Sequence, residues 1–209
     1  MSSDAEVERA LRTRAKVTIR GQMEVIRRAL PPASRELRSA AIVERIVALE
    51  PWLEASVVAS FGAIRGEAEL GALRRHAAQE GKIYALPRID PGTRELSMHR
   101  VPPGMTLEPG VFGVPEPPAD AERVPLEAIC LILVPALAID LRGHRIGYGK
   151  GYYDRILERS PQARTCGVVF DFQLMAEIPE LPHDRPVERI VTDAQSLRVG
   201  SLADGGGQG

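Results

Sequence analysis

Cross-linking and metal-ligating residues are scarce in this sequence. Its 209 residues include two cysteines and four histidines. Cys130 and Cys166 lie in separate apolar segments, AICLILV and TCGVVF. Cysteines inside core strands usually stay reduced, so no disulfide is expected, and buried thiols in a cytoplasmic protein are. The histidines have neither CxxC nor HxxxH spacing around them, which removes a zinc signature. Long apolar runs are also missing. The longest, AICLILVPALAI at 128–139, is broken by Pro135 and is too short to cross a bilayer. The opening MSSDAEVERALRTRAK lacks the apolar core of a secretory signal. Nor is there an excess of one charge: 27 Lys and Arg against 28 Asp and Glu give a formal net charge of −1. No global field therefore draws the protein to nucleic acid or to a membrane, and any anion site must be local.

What is present is ordinary globular composition, 44% hydrophobic and 26% charged. That suffices for one sizeable core. A single α/β domain over 1–200 is expected, followed by a flexible tail, SLADGGGQG, at 201–209. Val7, Leu11, Ala15, Ile19, Met23 and Ile26 recur at three- or four-residue steps and predict a helix over 5–29 with these residues inward. Ser34 is a candidate cap for a second helix over 35–49, with Leu37, Ile42, Ile46 and Leu49 as its buried stripe. Segment 67–80 reads as a third helix, with Leu70 and Leu73 inward and Gly81 as its stop. Strands are predicted at 56–62, 82–89, 95–101, 128–135, 164–171 and 188–193. AICLILVP is apolar throughout rather than alternating, as a central strand covered on both faces should be. The proline-rich stretch 102–125, anchored by Val111, Phe112 and Val114, reads as an ordered loop. Strands alternating with helices predict a mainly parallel sheet with helices on both sides.

The segment RIGYGKGYYDR, 145–155, follows the strongest strand and precedes a short helix. Strand, glycine-rich turn and helix is the geometry of an anion site. Backbone N–H groups at the start of a helix are unpaired, and glycine admits a close approach. Gly147, Gly149 and Gly151 supply room, and Arg145 and Lys150 supply charge. Asp154 suits the first turn of the helix and can also ligate Mg2+ through oxygen. No GxxxxGK[ST] is present, so this is not a P-loop. The plainer reading is a strand-to-helix turn with incidental glycines. Lys16 and Arg20 lie four residues apart on one helix face, where they could clamp a polyphosphate, although spacing alone favours a solvated basic face. Glu67 and Glu69 read, from spacing alone, as first-turn acids that offset a helix dipole.

At this point a family resemblance emerges. LILVPALAIDLRGHRIGYGKGYYDRIL resembles the signature of the 5-formyltetrahydrofolate cyclo-ligases, also called 5,10-methenyltetrahydrofolate synthetases. AKVTIR, GAIRGEAEL, YALPRI, VFGVPEP and PVERIVTD match further family segments in the same order. The resemblance implies a three-layer α/β/α fold of sugar-phosphate isomerase and CoA-transferase topology. It implies ATP, Mg2+ and a reduced folate, with small molecules as the partners of a monomer. It implies ATP-driven cyclisation of 5-formyltetrahydrofolate to 5,10-methenyltetrahydrofolate, with release of ADP and phosphate.

By motif match, Lys16, Arg20, Arg145, Ile146, Gly147, Tyr148, Gly149, Lys150, Gly151, Tyr152 and Tyr153 would bind ATP. Of these, Arg145 and Lys150 would stabilise the transferring phosphoryl group. Ile64, Glu67, Glu69 and residues 148–152 would border the folate. Asp154 and Glu188 would bind the metal. The chain departs from the family pattern twice: a threonine after the two acids is Leu70 here, and the second metal carboxylate, usually aspartate, is Glu188. A non-catalytic relative that binds nucleotide or folate is the alternative these departures would support.

Overall fold

A computed structural model describes residues 2–181 and 184–200. The expected tail at 201–209 lies outside the described residues, as does the side chain of Phe112. The chain opens with α1 (Ser2–Arg28), α2 (Pro32–Val47) and the short α3 (Glu50–Glu54). Strand β1 (Val57–Ala59), helix α4 (Leu73–Gln79), β2 (Ile83–Ile89) and β3 (Leu96–Arg100) follow. The proline-rich stretch contributes three two-residue strands, β4 (Glu108–Pro109), β5 (Pro115–Glu116) and β6 (Arg123–Val124). Then come β7 (Leu131–Pro135), β8 (Ala138–Asp140), β9 (Arg145–Ile146) and α5 (Tyr152–Arg159). The described chain closes with β10 (Arg164–Val168), β11 (Leu174–Met175), β12 (Arg189–Val191) and β13 (Ser196–Arg198).

Eight strands form the main sheet in the order β13-β12-β10-β7-β1-β2-β3-β6. From β12 through β10, β7 and β1 to β2 every pairing is parallel, and the outer strands are antiparallel. Side chains alternate across this sheet. Val58, Leu131, Leu133 and Cys166 pack with Ile42 and Ile46 of α2, Trp52 of α3 and Leu73 of α4. Val57, Ala59, Ile132 and Val134 pack on the other face with Ile156 and Leu157 of α5. The molecule is therefore a three-layer α/β/α domain, as expected, and β7 is buried on both faces because it is apolar at every position. A second small sheet, β11-β8-β9, carries Leu137, Ala138 and Ile146 against Ile19 and Met23 of α1.

Several expectations need correction. In α1, Val7, Leu11 and Ile26 are exposed, whereas Lys16 is 8% and Arg27 0% exposed. The inward face of this helix carries cations. Ser34 caps nothing: α2 starts at Pro32, whose missing N–H suits a first helical turn, and Leu37 faces solvent. Pro51 follows α2 and sits in the first turn of the short α3, which was not expected. Residues 67–72 are not helical; α4 begins at Leu73. Its end is as expected, since the N–H of Lys82 bonds back to the Ala77 carbonyl around Gly81. Both thiols are free, but Cys130 is half-exposed, because β7 begins one residue after it.

Candidate active site

The carboxyl ends of the parallel strands open into a cleft of about 810 Å3. In sheets of this kind ligands bind at that edge, where loops diverge. Beyond β7 the chain makes the β8–β9 hairpin. Its turn is fastened by the wholly buried Asp140, whose Oδ1 accepts the N–H groups of Arg142 and His144 at 3.0 and 2.9 Å. The next residue, Arg145, is thereby delivered into the cleft wall as part of strand β9, not of the glycine loop. Its guanidinium donates to Asp154 Oδ1 and to the Arg185 carbonyl. Burial lowers its pKa, opposed by the carboxylates of Asp154 and Asp184.

Gly149 and Gly151 take left-handed backbone, with φ of 79° and 65°. Gly151 is the N-cap of α5, and no side chain caps that helix. The first-turn residues Tyr152, Tyr153 and Asp154 line the cleft, so the uncapped helix start sits where an anion would be welcome. A Cβ on Gly149 would sit 3.3 Å from the Arg20 guanidinium. Arg20 Nε donates to the Gly147 carbonyl at 2.8 Å, so this cation fastens the glycine loop. Lys16 pairs with Asp184. Lys150 is exposed at the loop tip and lines the cleft. The wall from the β1–β2–β3 side is mainly apolar, with Phe61, Ile64, Pro87, Ile89, Leu96 and Val114 around the charged Arg65, Glu67 and Glu116.

Of the residues singled out from sequence, Lys16, Arg20, Ile64, Glu67, Arg145 and the whole of 146–154 line this one cleft. Glu67 is not a helix-dipole acid. It is 4% exposed in a loop, and its Oε2 accepts the Ile64 N–H at 3.0 Å. Burial pushes its pKa up to about 7 against the pull of Arg27. Glu69 and Glu188 do not line the cleft. Glu69 faces out, and partial desolvation raises its pKa against the pull of Arg35. Glu188 precedes β12 at the amino end of the parallel strands, where it pairs with Arg164 at 2.7 Å. A metal shared with Asp154 is therefore out of its reach. Leu70, one of the two departures from the family pattern, is buried in the core behind the helices.

Sequence reasoning missed Asp184, Arg27, Arg65 and Glu116. Asp184 stands in the polar stretch HDRP, a carboxylate in a short loop bounded by prolines. Arg27 is 11 residues after Lys16 and 7 after Arg20, which puts all three on one helical face. Glu116 lies inside the matched segment VFGVPEP; it is 2% exposed and accepts the Ile89 N–H at 3.3 Å. Arg65, stacked 5.1 Å from the Tyr148 ring centre, left no sequence signal. Among the described residues no group of three or more His, Cys, Asp or Glu is placed to hold a metal by itself. No described helix is long and apolar enough to cross a membrane.

The sequence model of the 5-formyltetrahydrofolate cyclo-ligase family matches residues 12–193. A 5-formyltetrahydrofolate cyclo-ligase of Mycolicibacterium smegmatis is 32% identical over 192 residues, covering 88% of this chain and 96% of its own. One from Escherichia coli K12 is 29% identical over 173 residues, covering 81% and 95%. The solved structure of Aquifex aeolicus 5,10-methenyltetrahydrofolate synthetase superposes with a TM-score of 0.79 at 32% identity, covering 93% of this chain and 96% of that one. With the fold, the order of its motifs and most of its length matched, this chain belongs to the 5-formyltetrahydrofolate cyclo-ligase family.

Proposed function

We propose that the carboxyl-edge cleft cyclises 5-formyltetrahydrofolate to 5,10-methenyltetrahydrofolate, consuming ATP and releasing ADP and phosphate. The observation that carries this reading is one cleft in which a cationic wall faces a mainly apolar one, in a chain of this family. Phosphoryl transfer asks a protein for positioning and charge neutralisation more than for covalent help. Lys16, Arg20 and the uncapped start of α5 suit the nucleotide phosphates, and Arg145 and Lys150 suit the transferring group. The apolar wall suits the flat pterin. The formyl oxygen takes the γ-phosphoryl group and ADP departs. N10 then closes on the activated carbon, phosphate leaves with the former formyl oxygen, and the N10 proton is lost.

Mg2+ prefers hard oxygen ligands and commonly binds one or two carboxylates together with substrate phosphates. Asp154 and Asp184 offer such oxygens between the cations, so the residues present fit the ion. Bound there, it would supply positive charge that neutralises the nucleotide phosphates.

The alternative, a non-catalytic binder, drew on Leu70 and Glu188. Neither side chain lines the cleft, so neither weakens the catalytic reading. The test is to mix purified protein, 5-formyltetrahydrofolate, ATP and Mg2+ and to follow the methenyl absorbance in the near ultraviolet. One ADP should form per methenyl group, and omission of either substrate should abolish both. ATP binding without methenyl formation would establish the binder instead.

A further inference from the structure

Arg27 is wholly buried in a helix that otherwise carries its charge at the surface or in the cleft. It reaches three acceptors from three parts of the chain. Nε donates to the Arg65 carbonyl at 3.1 Å, Nη1 to the Ala136 carbonyl at 3.2 Å, and Nη2 to the Tyr148 hydroxyl. Glu67 Oε1 lies 3.7 Å from Nη1 and is itself buried with no hydrogen-bond partner. Tyr148 is thus gripped from two sides, with Arg27 at its hydroxyl and Arg65 over its ring. Burying a guanidinium costs several kcal/mol unless it is well paired, and apolar residues fill a core more cheaply. A structural need alone does not call for such a group here. What Arg27 grips is Tyr148, two residues before Lys150, on a loop whose glycines give it little stiffness of its own.

We propose that Arg27 is a positioning residue: through the Tyr148 hydroxyl, and packed beside Glu67, it fixes the glycine loop so that Lys150 meets the transferring group. The part about Lys150 rests on the reading of the cleft given above; the part about the loop does not. A loop free to shift by an ångström would misplace Lys150, and such misplacements cost up to about 100-fold in rate. Substrate binding should suffer less, because it draws on the whole cleft. The signature is therefore a loss in kcat with KM preserved.

Tyr148→Phe removes one hydroxyl and keeps the ring in the cleft wall. In that variant kcat should fall by about tenfold, with KM for both substrates within about twofold. Backbone amides of 147–153 should exchange with deuterium faster in the free protein, while those of β7 and β10 keep their protection. Arg27→Lys should reproduce both changes, and the double variant should be no slower than Arg27→Lys alone, since one residue acts through the other. Unchanged exchange in the loop would overturn the positioning role, whatever the wild type catalyses. A raised KM at unchanged kcat would overturn it too, by making the hydroxyl a direct substrate contact. If Arg27→Lys fails to fold, Tyr148→Phe still decides. A wild type that makes no methenyl product would sink the proposed activity, and loop exchange would still judge Arg27.

Discussion

The two edges of the parallel strands carry the same chemistry to different ends. At the carboxyl edge Arg145 pairs with Asp154; at the amino edge Arg164 pairs with Glu188. The first arginine is sealed, its side chain 6% exposed, and both partners line the cleft. The second pair is open to water, at 37% and 49% exposure, and closes nothing. The exposed pair is screened by solvent and adds little stability. The buried Arg145, paired to the partly solvated Asp154, keeps a charge poised beside an uncapped helix start, where fields act at lower dielectric. Residue type does not separate the two pairs. Strand direction does, because loops diverge and leave a crevice at the carboxyl ends.

The largest effect expected from breaking this contrast is at Lys150. Lys150→Ala should cut turnover by about 100-fold or more and leave the melting temperature nearly unchanged, since an exposed loop lysine adds little to the core. An equal fall in melting temperature would make it a structural residue. Asp154→Ala comes next. It should blunt the response of rate to Mg2+ and cost about 1–2 kcal/mol of stability, because Arg145 stays buried while Asp154 was partly solvated. A Mg2+ dependence identical to wild type would reduce Asp154 to a partner of Arg145 and of the helix dipole.

Glu67 sharpens the contrast through pH. Its pKa rises from 4.5 to about 7 on folding, so the folded protein binds that proton more tightly than the unfolded chain does. This contribution is fully present below about pH 4.5 and is lost as pH climbs through 7. Over that window wild-type stability should fall by on the order of 1 kcal/mol per pH unit relative to Glu67→Gln, measured by denaturant titration at several pH values. Parallel pH profiles for the two proteins would show that Glu67 stays ionised beside Arg27. Smallest of all is Glu188→Ala, which should change stability by less than about 0.5 kcal/mol.

The sheet and the span of the first helix were legible in the sequence, but the inward face of that helix was not, for one physical reason. Hydrophobic periodicity locates a face turned away from water, and β7, apolar at every position, lies between two layers of helices. It cannot locate a face turned towards a polar cleft. The inner side of α1 carries Lys16, Arg20 and Arg27, matched by Asp184, the Gly147 carbonyl, Glu67 and Tyr148, and Val7 and Leu11 are left outside. Those partners are 40 to 168 positions away along the chain, beyond any local pattern. The glycine loop was readable because its chemistry is local. Glu188 was misplaced because a motif match carries residue order and not strand direction.

The decisive measurement compares Lys150→Ala and Glu188→Ala in the methenyl absorbance assay at saturating ATP, Mg2+ and 5-formyltetrahydrofolate. The carboxyl-edge cleft predicts wild-type turnover within about twofold for Glu188→Ala and a loss of about 100-fold for Lys150→Ala. Turnover that collapses on loss of Glu188, or survives the loss of Lys150, would contradict it.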